Sequence, residues 1–165
     1  MQTFKEALDK QFGEGKFLLQ KFRDNNRVIV PAEHLLEVMG VLKSVCGFDM
    51  LSDVTAVDYL NYPGAVDRYH VVYVLTNTGT AERLIVKVPV NDPDPAVPSL
   101  TGMWIGADWI ERECYDMFGI VFENHPDLRR ILMPEGFASY PLRKDYPLRG
   151  RGERHNFETV LRSDS

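Results

Sequence analysis

The chain reads as an α+β two-layer sandwich in the order helix, two strands, helix, three strands, followed by a further helix and an extended C-terminal arm. Three observations predict this. Apolar residues recur at helical spacing in two early segments, β-branched and aromatic residues dominate three runs between 50 and 88, and sequence with spaced prolines follows residue 133. With 165 residues and 44% hydrophobic content the chain suits one core-bearing domain, 1–133, and an arm, 134–165.

In chain order, Thr3 to Phe12 carries Phe4, Ala7, Leu8 and Phe12 on one helical stripe, and Gly13 with Gly15 ends it. Lys16–Phe22 and Arg27–Val30 flank Asp24, Asn25 and Asn26, which tolerate positive φ, so a hairpin is expected with its reversal at those three residues. Pro31 opens a second helix whose stripe is Leu35, Leu36, Met39, Leu42, Val45 and Cys46, closed by Gly47. Strands follow over Met50–Asn61, Arg68–Asn77 and Ala81–Val88, separated by Pro63-Gly64 and Thr78-Gly79-Thr80, and should form an antiparallel meander with both helices on one sheet face. Pro93, Pro95 and Pro98 then take the chain out of the sheet.

Charge is divided unevenly. Residues 1–128 hold 11 Lys+Arg against 19 Asp+Glu, a balance of −8, whereas 129–154 hold 7 against 3, a balance of +4. An acidic body with a basic arm implies a negatively charged partner surface. Cys46 and Cys114 are too few for a disulfide framework, a zinc site or an iron–sulfur cluster. The N-terminus lacks the apolar core of a signal peptide and no apolar run approaches membrane-spanning length, so a cytosolic chain that meets a membrane only through partners is expected.

The densest stretch is Asp108–Leu132. Asp108 and Glu111 resemble a capping box and Gly119 a helix stop, which predicts a helix over 108–118. Ile110, Cys114, Met117 and Phe118 make its apolar stripe, and Asp108, Arg112, Tyr115 and Asp116 lie opposite, with Trp109 projecting outward. Glu111 and Glu113 stand roughly 160° apart on such a helix and cannot act as a paired acid and base. No Glu-x-x-His element completes a metal site with Glu113 and Asp116. Ion pairing with Arg129, Arg130 or an external chain therefore outweighs catalysis and a merely solvated face. His125, ahead of Pro126, reads as a hydrogen-bonding anchor, and Cys114 as a small core residue. After Met133, prolines at 134, 141 and 147 favour an extended arm in which Phe137, Tyr140, Tyr146 and Phe157 interleave with basic residues. Single-stranded nucleic acid suits that composition, but an acidic body without a binding-module signature argues against it.

Three blocks carry a resemblance: Glu111-Arg-Glu-Cys-Tyr-Asp-Met-Phe-Gly119, His125-Pro-Asp-Leu-Arg-Arg-Ile-Leu132 and Pro141-Leu-Arg143-Lys144-Asp145-Tyr-Pro147. In this order they resemble the C subunit of respiratory complex I, the proton-pumping NADH:quinone oxidoreductase (NADH dehydrogenase). Segment 135–140 departs from the tryptophan-containing turn of many relatives. The resemblance implies a peripheral-arm protein on the cytoplasmic face of the bacterial plasma membrane that binds no cofactor itself. It would dock on the large D subunit in a complex that uses FMN, iron–sulfur clusters, NADH and quinone. Trp109, Glu111, Arg112, Glu113, Asp116, His125, Arg129, Arg130, Arg143, Lys144 and Asp145 are the candidate partner-binding or structural residues, with Trp109 and the Arg129-Arg130 pair as outward anchors. Homologous subunits of membrane-bound nickel–iron hydrogenases and of photosynthetic complex I are the closest alternatives, and a basic-arm nucleic-acid module a distant one.

Overall fold

A computed structural model describes residues 4–134 and 136–153; Thr3, Glu135, Arg154 and Phe157 lie outside the described residues. Helix α1 spans Phe4–Phe12, strands β1 and β2 span Leu18–Phe22 and Asn25–Ile29, and a 3-10 turn at Ala32–His34 leads into α2, Leu35–Ser44. Strands β3, β4 and β5 follow at Met50–Asp58, Tyr69–Asn77 and Glu82–Val90. A short β6, Ala96–Pro98, precedes α3, Ala107–Phe118, and β7, Val121–Glu123.

The meander forms as expected, β3 on β4 on β5, all antiparallel. The β1–β2 hairpin joins its other edge through a parallel pairing of β2 with β5, giving the order β1-β2-β5-β4-β3. That parallel contact requires α2 to carry the chain across the sheet from β2 to the far edge, as parallel strands cannot be joined by a tight turn. Burial alternates along the strands: Tyr69, Val71, Tyr73 and Leu75 of β4 are buried and the residues between them half-buried. The buried set meets α1 and α2 in one core, so both helices cover the same face. β6 and β7 pair in parallel beside it, burying Val97 and Phe122.

Two local expectations are corrected. The hairpin turns at Arg23-Asp24, with Arg23 at φ 53°, while Asn25 and Asn26 are already in β2. A two-residue loop sets that register by pairing Phe22 with Asn25. In α2 the buried stripe is Leu35, Val38, Met39 and Leu42; Leu36 and Val45 are exposed, because the stripe that faces the sheet is rotated from the predicted one.

Candidate functional site

Helix α3 ends as predicted, with Gly119 in the left-handed region at φ 73° and its amide donating to the Tyr115 carbonyl at 2.7 Å. Its start differs. Gly106 is the capping residue and no side chain caps the helix; the Glu111 carboxylate is taken up by Ser99 and Leu100 instead. Glu111 is fully buried and accepts hydrogen bonds from Ser99 Oγ at 2.6 Å and the Leu100 amide at 2.7 Å, tying α3 to the segment after β6. Burial raises its pKa, against those two hydrogen bonds and the nearby His125, which favour the charged form.

The charged side of α3 is covered. Arg112 and Asp116 are buried while Ile110 is only half-buried, because residues 129–133 pack over that flank. Asp116 Oδ2 accepts from the amides of Ile131, Leu132 and Met133 at 3.1, 2.8 and 2.9 Å, and Oδ1 from Arg130 Nη1 at 2.7 Å. Burial works to raise the pKa of Asp116, but the three amides and the guanidinium together hold it below the ordinary aspartate value. Arg130 also donates to the Ser139 carbonyl at 3.1 Å and lies against the Phe137 and Tyr140 rings, so it joins helix, loop and arm. Its neighbour Arg129 points out, 71% exposed, and pairs with Asp127 at 2.8 Å. The two arginines are thus not a joint outward anchor: Arg130 is drawn in by the buried Asp116, while Arg129 pairs with the exposed Asp127.

Trp109 stands 65% exposed, with the Arg112 guanidinium 5.0 Å from its ring centre. Arg112 Nε donates to the Arg129 carbonyl at 3.2 Å. Glu113 is exposed. The His125 side chain is fully buried: its Nδ1 accepts from the Asp127 amide at 3.0 Å, which leaves the proton on Nε2, 3.2 Å from the Asp108 carbonyl. The ring is therefore a hydrogen-bonding anchor between α3 and the loop that follows β7.

The described part of the arm lies on its own body. The Leu142 amide donates to the Met117 carbonyl at 3.1 Å, and Arg143 Nε donates to the Phe118 carbonyl. Arg143 is sandwiched between Tyr69 and Tyr140, with ring centres at 5.3 and 4.7 Å. Lys144 contributes its backbone amide, which donates to Asp58 Oδ2 at 2.8 Å. Asp145 pairs with Arg68 at 2.9 Å, and that hydrogen bond holds its pKa below the usual value.

Asp58, Arg68 and Asp92 were not among the predicted site residues. The Asp58 carboxylate is fully buried under Arg68, which also reaches Asp92. One signal was present: Val54, Ala56 and Asp58 share the covered face of β3, and a carboxylate on such a face needs a partner. Among the described residues no group of three or more His, Cys, Asp or Glu side chains is placed to hold a metal ion, and no helix is long and apolar enough to cross a membrane. Cys46 and Cys114 are buried free thiols, both pushed up by burial.

Comparison with known proteins places this arrangement. The family model for the respiratory-chain NADH dehydrogenase 30 Kd subunit matches residues 28–152. The NADH-quinone oxidoreductase C subunit of Trichlorobacter lovleyi is 46% identical over 147 residues, covering 89% of this chain and 90% of that protein. The corresponding protein of Citrifermentans bemidjiense is 44% identical over 143 residues, covering 87% of each. A solved trypsin-resistant fragment (1-134) of Nqo5 superposes with a TM-score of 0.66 at 38% identity, over 74% of this chain and 94% of the fragment. A chain of an archaeal membrane-bound sulfane sulfur reductase superposes with a TM-score of 0.75 over 96% of this chain and 91% of its own length; at 23% identity that likeness speaks for the fold alone. The chain belongs to the respiratory-chain NADH dehydrogenase 30 Kd subunit family, that of the C subunit of NADH-quinone oxidoreductase.

Proposed function

We propose that the chain is a non-catalytic subunit of the peripheral arm of a proton-translocating NADH:quinone oxidoreductase, on the cytoplasmic face of the bacterial plasma membrane. Its task is to hold neighbouring subunits in register, chiefly the large D subunit of the quinone module, while FMN and iron–sulfur clusters bound elsewhere carry electrons from NADH to quinone. The observation that carries this reading is the commitment of Glu111, Arg112, Asp116, Arg130 and Arg143 to bonds within the chain, with Trp109 left outside. Buried charges satisfied in this way act as rivets rather than as proton carriers. A rigid body with an exposed aromatic anchor then presents a fixed contact to a neighbour.

Replacing Trp109, Asp116 or Arg143 and purifying the complex from its membrane tests this, with two readings: assembled complex per cell, and NADH:quinone turnover per assembled complex. Assembly falls and turnover per complex holds if the role is structural. Full assembly with lost turnover overturns it in favour of direct chemistry. A nickel–iron protein among the co-purifying chains, in place of flavin- and NADH-binding ones, moves the chain to a hydrogenase.

A further inference from the structure

Among the described residues the five-stranded sheet carries its helices on one face only. On the other, alternate residues of the central strands, among them Arg27, Ile29, Val72, Val74, Ile85 and Lys87, are half-buried with no element of the described chain across their middle. At one end the 59–67 loop folds over this face and, with Leu18 and Ile29, encloses a bay of about 460 Å³ in which His70 takes part. Val66 and Tyr62 stand at its rim, 94% and 64% exposed.

Two observations set this face apart from an ordinary solvated one. Arg27 Nε and His70 Nδ1 are buried without a hydrogen-bond partner among the described residues, although polar atoms out of reach of water are normally satisfied. The His70 ring is held edge-on to Tyr59 at 5.0 Å, and burial, then Lys87, holds its pKa below the usual imidazole range. The face is also cationic within an acidic body: Arg27, Arg83 and Lys87 stand against Asp53 on the same face and Asp67 at the bay. Apolar strands edged with arginine and lysine complement an acidic, not a basic, partner segment.

We infer that the uncovered sheet face is a docking surface for an acidic segment of another subunit of the same complex, which places an apolar side chain in the bay beside His70 and carboxylates against Arg27 and Lys87. The inference rests on the subunit reading above. It goes beyond that reading because it puts a second contact on the side of the molecule away from α3 and the arm.

The test uses the assembled complex, with p-benzoylphenylalanine in place of Val66 in a tagged chain. Protein composition of the purified complex checks the subunit reading by itself. Within a complex of full composition, irradiation is expected to join residue 66 to a peptide of another subunit that has Asp or Glu within a few residues of the joined position. Lys87→Glu is expected to lower the yield of that product about tenfold, with Lys87→Arg restoring it. A fully composed complex that gives no product, a product with a basic segment, or a product with a second copy of this chain overturns the inference while leaving the subunit reading intact.

Discussion

Arg130 Nη1 meets Asp116 Oδ1 at 2.7 Å, and through that contact the end of α3, the 131–133 loop and the start of the arm share one buried carboxylate. Asp116→Ala leaves three amides and a guanidinium without their acceptor. A loss of about 3–5 kcal/mol in unfolding free energy is expected, since one member of a buried pair has been removed. Chemical denaturation of the isolated chain measures it; a loss below about 1 kcal/mol, the range of surface pairs, would sink the claim.

Asp116 and Glu111 should respond to pH in opposite senses. The folded-state pKa of Asp116 is below the ordinary 3.8, so its contribution is whole above that value and is lost as the pH falls through the folded pKa. Glu111 is raised above 4.5, so its contribution is whole below that value and declines as the pH rises through the folded pKa. Calorimetry between about pH 3 and pH 8 should show Asp116→Asn flattening the acid limb and Glu111→Gln flattening the decline above pH 4.5. Unchanged profiles in both variants would contradict the assignment.

Gly119 serves two ends at once. A Cβ there would fall 2.5 Å from the Tyr140 ring, and the residue sits at φ 73°. Gly119→Ala should therefore displace the arm as well as strain the helix end. In a Tyr140→Ala background only the backbone strain remains, about 1–2 kcal/mol, so a double-mutant cycle should show a positive coupling. Additive losses would mean that the ring simply moves aside.

Arg68 holds the arm through Asp145 and covers the buried Asp58, which also accepts from the Lys144 amide. Arg68→Met should cost about 3 kcal/mol and speed proteolytic cleavage between residues 136 and 150. Lys144→Ala, which keeps the amide, should leave both within about 0.5 kcal/mol of the parent. Equal cleavage rates for Arg68→Met and the parent would show that the arm is held without Arg68, by its hydrogen bonds to Met117 and Phe118 and its aromatic contacts.

Trp109 is the converse case. Its exposed ring touches Arg112 on its own chain, so Trp109→Ala should change the stability of the isolated chain by no more than about 1 kcal/mol. Its effect should appear instead as reduced recovery of assembled complex. A large loss of stability with normal assembly would reverse the picture.

Much of the molecule is legible in the sequence because it depends on local rules. Strand and helix periods, Gly119 as a helix stop, the meander turns and the three motif blocks that point to the family are all written within short stretches. What the tertiary structure decided is which side of each charged element is covered, and by what. A period states how residues of one element face relative to each other, but not which distant segment will lie against them. Hence the partners of Arg112 and Asp116 stayed open until residues 129–133 were placed over them, and Arg130 could not be told from Arg129. Asp58 and Lys144, 86 residues apart, meet only because β3 brings its covered face under the arm. The parallel β2–β5 pairing and the sheet face that no described helix covers are of the same kind: both follow from long-range contacts that no single stretch of sequence contains.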